Sequence, residues 1–327
     1  DDNMVEDEWR KDGSKWFYLD EDGNMATDTW VDDEYYVGED GAMLKNAWIK
    51  TTADEDVSDP DDDGDHWYYF DTKGKKVTSD DKKINGKTYY FNEDGEMLYG
   101  WHEENGNVFY LGTEDEGWRA EKPGDADEDE DEEQILTCAD EDECDDEGWY
   151  WFGSSGKMYK DAGKKKVNGR YYMFNEHGQM LYEWINGKAV SAATPGNAHL
   201  DGNATAGSAT IDDMLYYNIV EEGWRGDGWY EIDGSEDLGT DDDTDWYFID
   251  DGEVKHADAD GSDFATNDDD GPVHVARIKV DSSKGKKYFA FNEMGQMQTG
   301  LQYMAEDKGF YYFDENGYMQ DGKVSDV

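Results

Sequence analysis

The densest cluster of potential ligands in this chain is Asp59-Pro60-Asp61-Asp62-Asp63-Gly64-Asp65. Asp59, Asp61 and Asp63, followed by Gly64, form the opening of a calcium loop. Alternating carboxylates there converge on one hard cation, and the glycine permits a sharp bend. The twelfth position is Phe70 rather than Glu, which excludes an EF-hand; a looser loop closed by Asp65 or Asp71 would hold Ca2+. An acidic turn in an acidic chain is the competing reading. Cys138 and Cys144 enclose five residues, a spacing that fits a small disulfide loop in an oxidising compartment, with two free thiols as the alternative. No third and fourth ligand stands at zinc-finger spacing. Catalysis has no foothold: the six histidines are scattered, and no HExxH, nucleophile or phosphate-cradling motif occurs. Carboxylate pairs are too common here to signal glycoside hydrolysis. The chain reads as non-enzymatic, with any catalytic domain lying outside it.

Elements able to position such groups must be built from an unusual composition. The formal charge is −55 over 327 residues, and Leu, Ile, Val and Phe make up only about 14% of the chain, a balance typical of disorder. Yet 15% of residues are aromatic, with 13 Trp and 23 Tyr. Each buried ring removes a large apolar area from water, so the chain is expected to fold around rings rather than aliphatic side chains. The charge argues against nucleic acid and anionic lipid, and favours cationic ligands and divalent ions. No apolar run approaches twenty residues, so no membrane insertion is expected. A start at Asp1 suggests a mature product or excised fragment, and export is inferred.

The rings recur in order. Seven of the twelve Met lie in a Gly-x-Met frame, as in Gly23-Asn24-Met25, Gly95-Glu96-Met97 and Gly317-Tyr318-Met319. Each frame closes an aromatic stretch such as Lys87-Thr-Tyr-Tyr-Phe91. The reading is an aromatic strand, a turn ending in Asp-Gly or Asn-Gly, and a short second strand carrying the Met. Trp30, Trp48, Trp101 and Trp184 each follow a Met by four or five residues and open the next unit. Units of about 20 residues cannot fold alone and must cover one another. The expected fold is all-β: an elongated, solenoid-like array of β-hairpin repeats interrupted by acidic insertions. The blocks run from 1 to 121 (insertion at 51–65), 148 to 189 and 223 to 327. Between them lie an acidic excursion at 122–147 and a linker or irregular segment at 190–222, of which 212–222 fits either a helix or a strand.

This pattern resembles the choline-binding, or cell-wall-binding, repeat of Gram-positive surface proteins, a repeat shared with glucan-binding regions. The resemblance implies a hairpin solenoid, exposed at the cell surface or secreted. It also implies cages between successive repeats, each made from the linking Trp, the first hairpin aromatic and a ring of the next repeat. Such a cage holds a quaternary ammonium through ring faces, since that cation donates no hydrogen bonds. The pattern matches Trp9 and Trp16, with Tyr36 as third wall. Trp30, Trp48 and Trp101 match as linking rings, and Trp67, Trp149, Trp246 and Phe310 as first hairpin aromatics. Glu34, Thr88 and Val108 stand where a first aromatic belongs, and the insertion parts Trp48 from Trp67 in sequence. The implied function is non-catalytic attachment to a cell-wall polymer. An α-glucan or other polysaccharide binder is one alternative. The other is a calcium-stiffened adhesive protein that meets a protein partner or a second copy of itself.

Overall fold

A computed structural model describes residues 6–54, 64–121, 135–137, 148–187, 211–219, 222–234, 240, 244–258, 266–268, 271–304 and 307–321. Among these the chain is β-strand and turn, with one short 3-10 segment at Ile211–Asp213. Every strand pairing is antiparallel, and most involve two neighbouring strands. Glu8–Asp12 pairs with Lys15–Leu19, Ala47–Thr51 with His66–Phe70, and Gly228–Ile232 with Asp245–Asp250.

The aromatic strand therefore takes its main partner from the residues before it, which corrects the hairpin assignment drawn from sequence. The tight reversal in Asp81–Ile84/Lys87–Tyr90 is Asn85-Gly86, with φ of 51° and 88°. Two successive positive φ values match the right-handed twist of the flanking strands. The Gly-x-Met segment returns only as a single bridge, Leu19↔Met25 or Phe91↔Met97, or as a two-residue strand such as Met297–Gln298.

A different device makes the turn before six of the repeat glycines, Gly23, Gly74, Gly95, Gly178, Gly295 and Gly317. Asp20, Asp71, Asn92, Asn175, Asn292 and Asp314 each use Oδ1 to accept the backbone N–H groups two and four residues on. This is why Asp or Asn recurs three residues ahead of the glycine. The glycine itself is required by its positive φ, and a methionine end packs against it. A Cβ on Gly74, at φ 90°, would stand 2.8 Å from Met43 Cε and Sδ in the preceding hairpin. Gly41 sits on Met25 and Gly117 on Met97 in the same way. Gly74→Ala is expected to cost about 1–3 kcal/mol; a urea melt would check it, and an unchanged midpoint would contradict the backbone argument.

One backbone hydrogen bond ties each such hairpin to the preceding one. The residue at the methionine place donates to the carbonyl at the first aromatic place: Met43 to Trp16, Lys76 to Glu34, Met97 to Trp67, Arg225 to Tyr171 and Met319 to Tyr288. Successive hairpins thus cover one another's rings, and a two-stranded ribbon that would be marginal alone is stabilised.

The chain divides into two compact units, one of residues 1–124 with 152–158, the other of 125–151 with 159–327. In the first, Tyr36, Tyr68 and Phe70 form one cluster, and Tyr69, Ile84, Phe91 and Met97 another. In the second, Trp184, Met214, Tyr216, Tyr247 and Ile249 share a core. Met214–Tyr217 is the aromatic strand of a hairpin with Glu183–Asn186, so the expected linker at 190–222 contains a repeat. The strands that flank the insertion at 51–65 keep their register, Trp48 opposite Tyr69 and Lys50 opposite Trp67. Lengthening a surface loop costs little closure entropy.

Candidate functional site

Strand alternation places Trp48 and Trp67 on one face of their hairpin, at diagonal positions. Their centroids are 6.3 Å apart with planes at 86°. Tyr89 of the following hairpin meets Trp48 at 4.9 Å and 59°. Three half-buried rings thus converge at one junction. Trp67 is held from outside: its Nε1 donates to Asp115 at 3.0 Å, and Asp115 is fixed by Lys50 at 2.8 Å. The Lys50 ammonium, then the Trp67 N–H, hold the Asp115 carboxyl below its ordinary range.

The same arrangement recurs in the second unit. Trp229 and Trp246 stand 6.5 Å apart at 71°, and Phe289 of the next hairpin meets Trp229 at 4.6 Å and 61°. Trp229 Nε1 donates to the Asp281 carbonyl at 2.7 Å. Trp229, Trp246 and Phe289 line a cavity of about 560 Å3 with Met297, Glu315 and Tyr318. A third junction follows the same register, Trp9 opposite Tyr18 and Lys11 opposite Trp16. There Tyr35 approaches Trp9 to 5.5 Å. At the first two junctions two steeply inclined tryptophans and a ring of the next repeat stand together, and such ring faces attract a cation. Burial raises the phenol pKa of both Tyr35 and Tyr89, so both stay neutral well above neutrality.

Several sequence expectations are revised by these positions. Tyr36, expected as the third wall beside Trp9 and Trp16, faces the other side of its strand and packs on Trp30 and Phe70. The neighbouring residue Tyr35 points the other way along the strand and meets Trp9 instead. Trp48 and Trp67 do face each other despite the insertion. Trp30 meets Tyr68 at 4.8 Å, with Glu34 at the first aromatic place. Trp101 packs on Tyr110 and Phe152, and Val108 offers no ring at that junction. Trp149 lies against a cluster of Trp151, Val167, Tyr172, Phe174 and Met180. Phe310 is 67% exposed and meets Tyr303.

Tyr35, Tyr89, Trp229 and Phe289 were missed. The third wall is the residue after the first aromatic place, a signal present in Thr88-Tyr89 and Tyr288-Phe289. Trp229 escaped because Arg225 replaces the methionine from which a linking Trp is counted. Of the calcium candidates, Asp59, Asp61 and Asp63 lie outside the described residues, as do Cys138 and Cys144. Asp65 is described and exposed, and no group of three metal-binding side chains occurs among the described residues. None of the described helical residues forms a helix long and apolar enough to cross a membrane.

Comparison with known families finds the same repeat in several stretches of the chain. The choline-binding repeat model matches residues 3–43 and 26–53, and a second choline-binding repeat model matches 77–120. A cell wall binding repeat model matches 62–76, 143–158 and 306–319. No curated protein matches the chain. Among solved structures, CbpJ from Streptococcus pneumoniae is 16% identical, with 96% of this chain and 94% of that one covered and a TM-score of 0.53. That is a likeness of fold. Choline binding protein F from the same organism is 18% identical, covering 97% of this chain and 94% of that one, at a TM-score of 0.49. The modular autolysin LytC, also from S. pneumoniae, is 17% identical over 97% of this chain, at a TM-score of 0.47. The chain spans about half the length of LytC, 49%.

Proposed function

We propose, from the premise that this chain carries choline-binding repeats, that it is a non-catalytic module that attaches to a choline-bearing cell-wall polymer outside the cell. The observation that carries the reading is the repeated cage: Trp48, Trp67 and Tyr89 in one unit, Trp229, Trp246 and Phe289 in the other. Their centroid separations agree within a few tenths of an ångström. Core packing alone does not require a Trp at 42% exposure, as Trp246 is. A quaternary ammonium is the ligand that such faces suit, because it needs no hydrogen-bond acceptor and loses little hydration on entry. A net charge of −55 adds long-range attraction for a cation and repels phosphate-rich partners.

Several weak cages on one chain would grip a repetitive polymer through effective concentration, which suits attachment better than a single tight site. Titration with choline, followed by tryptophan fluorescence, is expected to give saturable quenching that dextran does not reproduce. Quenching by dextran and none by choline would replace the cage with a sugar-stacking platform.

A further inference from the structure

At the junction between Thr29–Val31/Tyr35–Val37 and Ala47–Thr51/His66–Phe70, two cage walls are kept and the third is changed. Trp30 and Tyr68 meet at 4.8 Å and 84°, close to the Trp48–Tyr89 corner one repeat on. Glu34 stands where Trp67 and Trp246 stand in the two complete cages, and its carboxylate pairs with Lys75. Lys76 occupies the methionine place, where the flanking repeats have Met43 and Met97. Its Nζ lies 5.0 Å from the Trp30 ring centre and 5.8 Å from that of Tyr68. The side chain is 5% exposed, and its ammonium donates to Asp33 Oδ1 at 2.6 Å.

We propose that Lys76 is a tethered cation. Its ammonium fills the aromatic corner that neighbouring junctions leave open to an external quaternary ammonium, so this junction is closed to ligand and held together without it. The chemistry of the surroundings fits a primary ammonium in particular. Rings alone would leave its N–H groups unsatisfied, and Asp33 accepts one of them. A quaternary ammonium has no proton to give Asp33.

The second unit carries the same device by a different route. Arg277 stands at the linking-Trp place, opposite Ala290. Its guanidinium lies 4.9 Å from Tyr288 and 4.4 Å from Tyr311, rings of two successive hairpins, and it pairs with Asp307 at 2.6 Å. In both places a missing cage Trp goes with a basic side chain among the remaining rings and a carboxylate on that side chain. Ligand-independent junctions are thus built into the same array as the two complete cages.

The inference rests on the reading that complete cages take quaternary ammonium, and its test separates the two. Calorimetric titration with tetramethylammonium would compare the full chain with its Lys76→Met variant. The variant is expected to bind one equivalent more than the wild type. A wild type that binds while the variant gains nothing overturns the tethered cation; a wild type and variant that both bind nothing overturn the cage reading with it. Should the variant fail to fold, the wild type still decides. With lysine labelled at Cε, the Lys76 methylene protons are expected upfield of every exposed lysine because of the two rings. An unshifted Lys76 resonance would show a plain ion pair and overturn the proposal.

Discussion

Trp229→Ala is expected to destabilise the second unit by about 2–3 kcal/mol, below the range for removing a fully buried ring, because Trp229 is half-buried. Trp246→Ala, on the other side of the same cage, is expected to abolish ligand binding there while costing much less stability. The two tryptophans differ in what they touch. Trp229 contacts Trp246, Phe248, Phe289 and Phe291, and its indole N–H is bonded to the Asp281 carbonyl. Removing it opens a void between two hairpins. Trp246 leaves 42% of its surface in solvent, so its loss forfeits far less buried area. Urea melts and choline titrations of both variants would separate the roles. Equal destabilisation by the two would assign Trp246 to the core and remove it from the site.

Alkali is expected to unfold the second unit between about pH 10 and pH 12. Tyr216 and Tyr217 lie side by side in one strand, and burial pushes both phenols up to about 12, from an ordinary value of 10.0. For Tyr216 the negative charge of Glu183 adds to burial, whereas Arg225 partly offsets it for Tyr217. A raised phenol pKa means that the folded state disfavours the phenolate. The stability these groups contribute is complete below their unfolded pKa and is lost as pH climbs through the folded value. At about 1.4 kcal/mol per unit, the pair would forfeit on the order of 5 kcal/mol, comparable to the whole stability of a small domain. Circular dichroism against pH, with phenolate absorbance recorded in parallel, should show ionisation and unfolding together near the upper end of that window. Two phenols titrating at the ordinary value with the fold intact would contradict the burial described here.

The strand content and the repeat were legible in the sequence because they depend on local chemistry. Asp or Asn at the turn, glycine three residues later and a run of rings before it recur in the text of the chain as they do in space. The partner of each aromatic strand was misassigned because the Gly-x-Met frame is the most visible signal, while the pairing strand, as in Asp81-Lys-Lys-Ile84, carries almost no signature of its own. The cages were half legible. A linking Trp and the first hairpin aromatic are read directly, but the third wall depends on which strand face turns toward the preceding hairpin. One residue decides that, and Tyr36 was chosen where Tyr35 serves. Loop length also misled: the acidic segment between Trp48 and Trp67 separates them in sequence and not in space, because a hairpin tip can lengthen without moving its strands. Lys76 could not be read from sequence at all, since a lysine in an acidic chain gives no sign that its ammonium rests on two rings.

A crystal structure of the chain with bound choline tests the central claim most directly. The account predicts choline enclosed by Trp48, Trp67 and Tyr89, and again by Trp229, Trp246 and Phe289, with the Lys76 ammonium still seated between Trp30 and Tyr68. Both three-ring cages empty at saturating choline, or choline seated only on rings elsewhere, would contradict it.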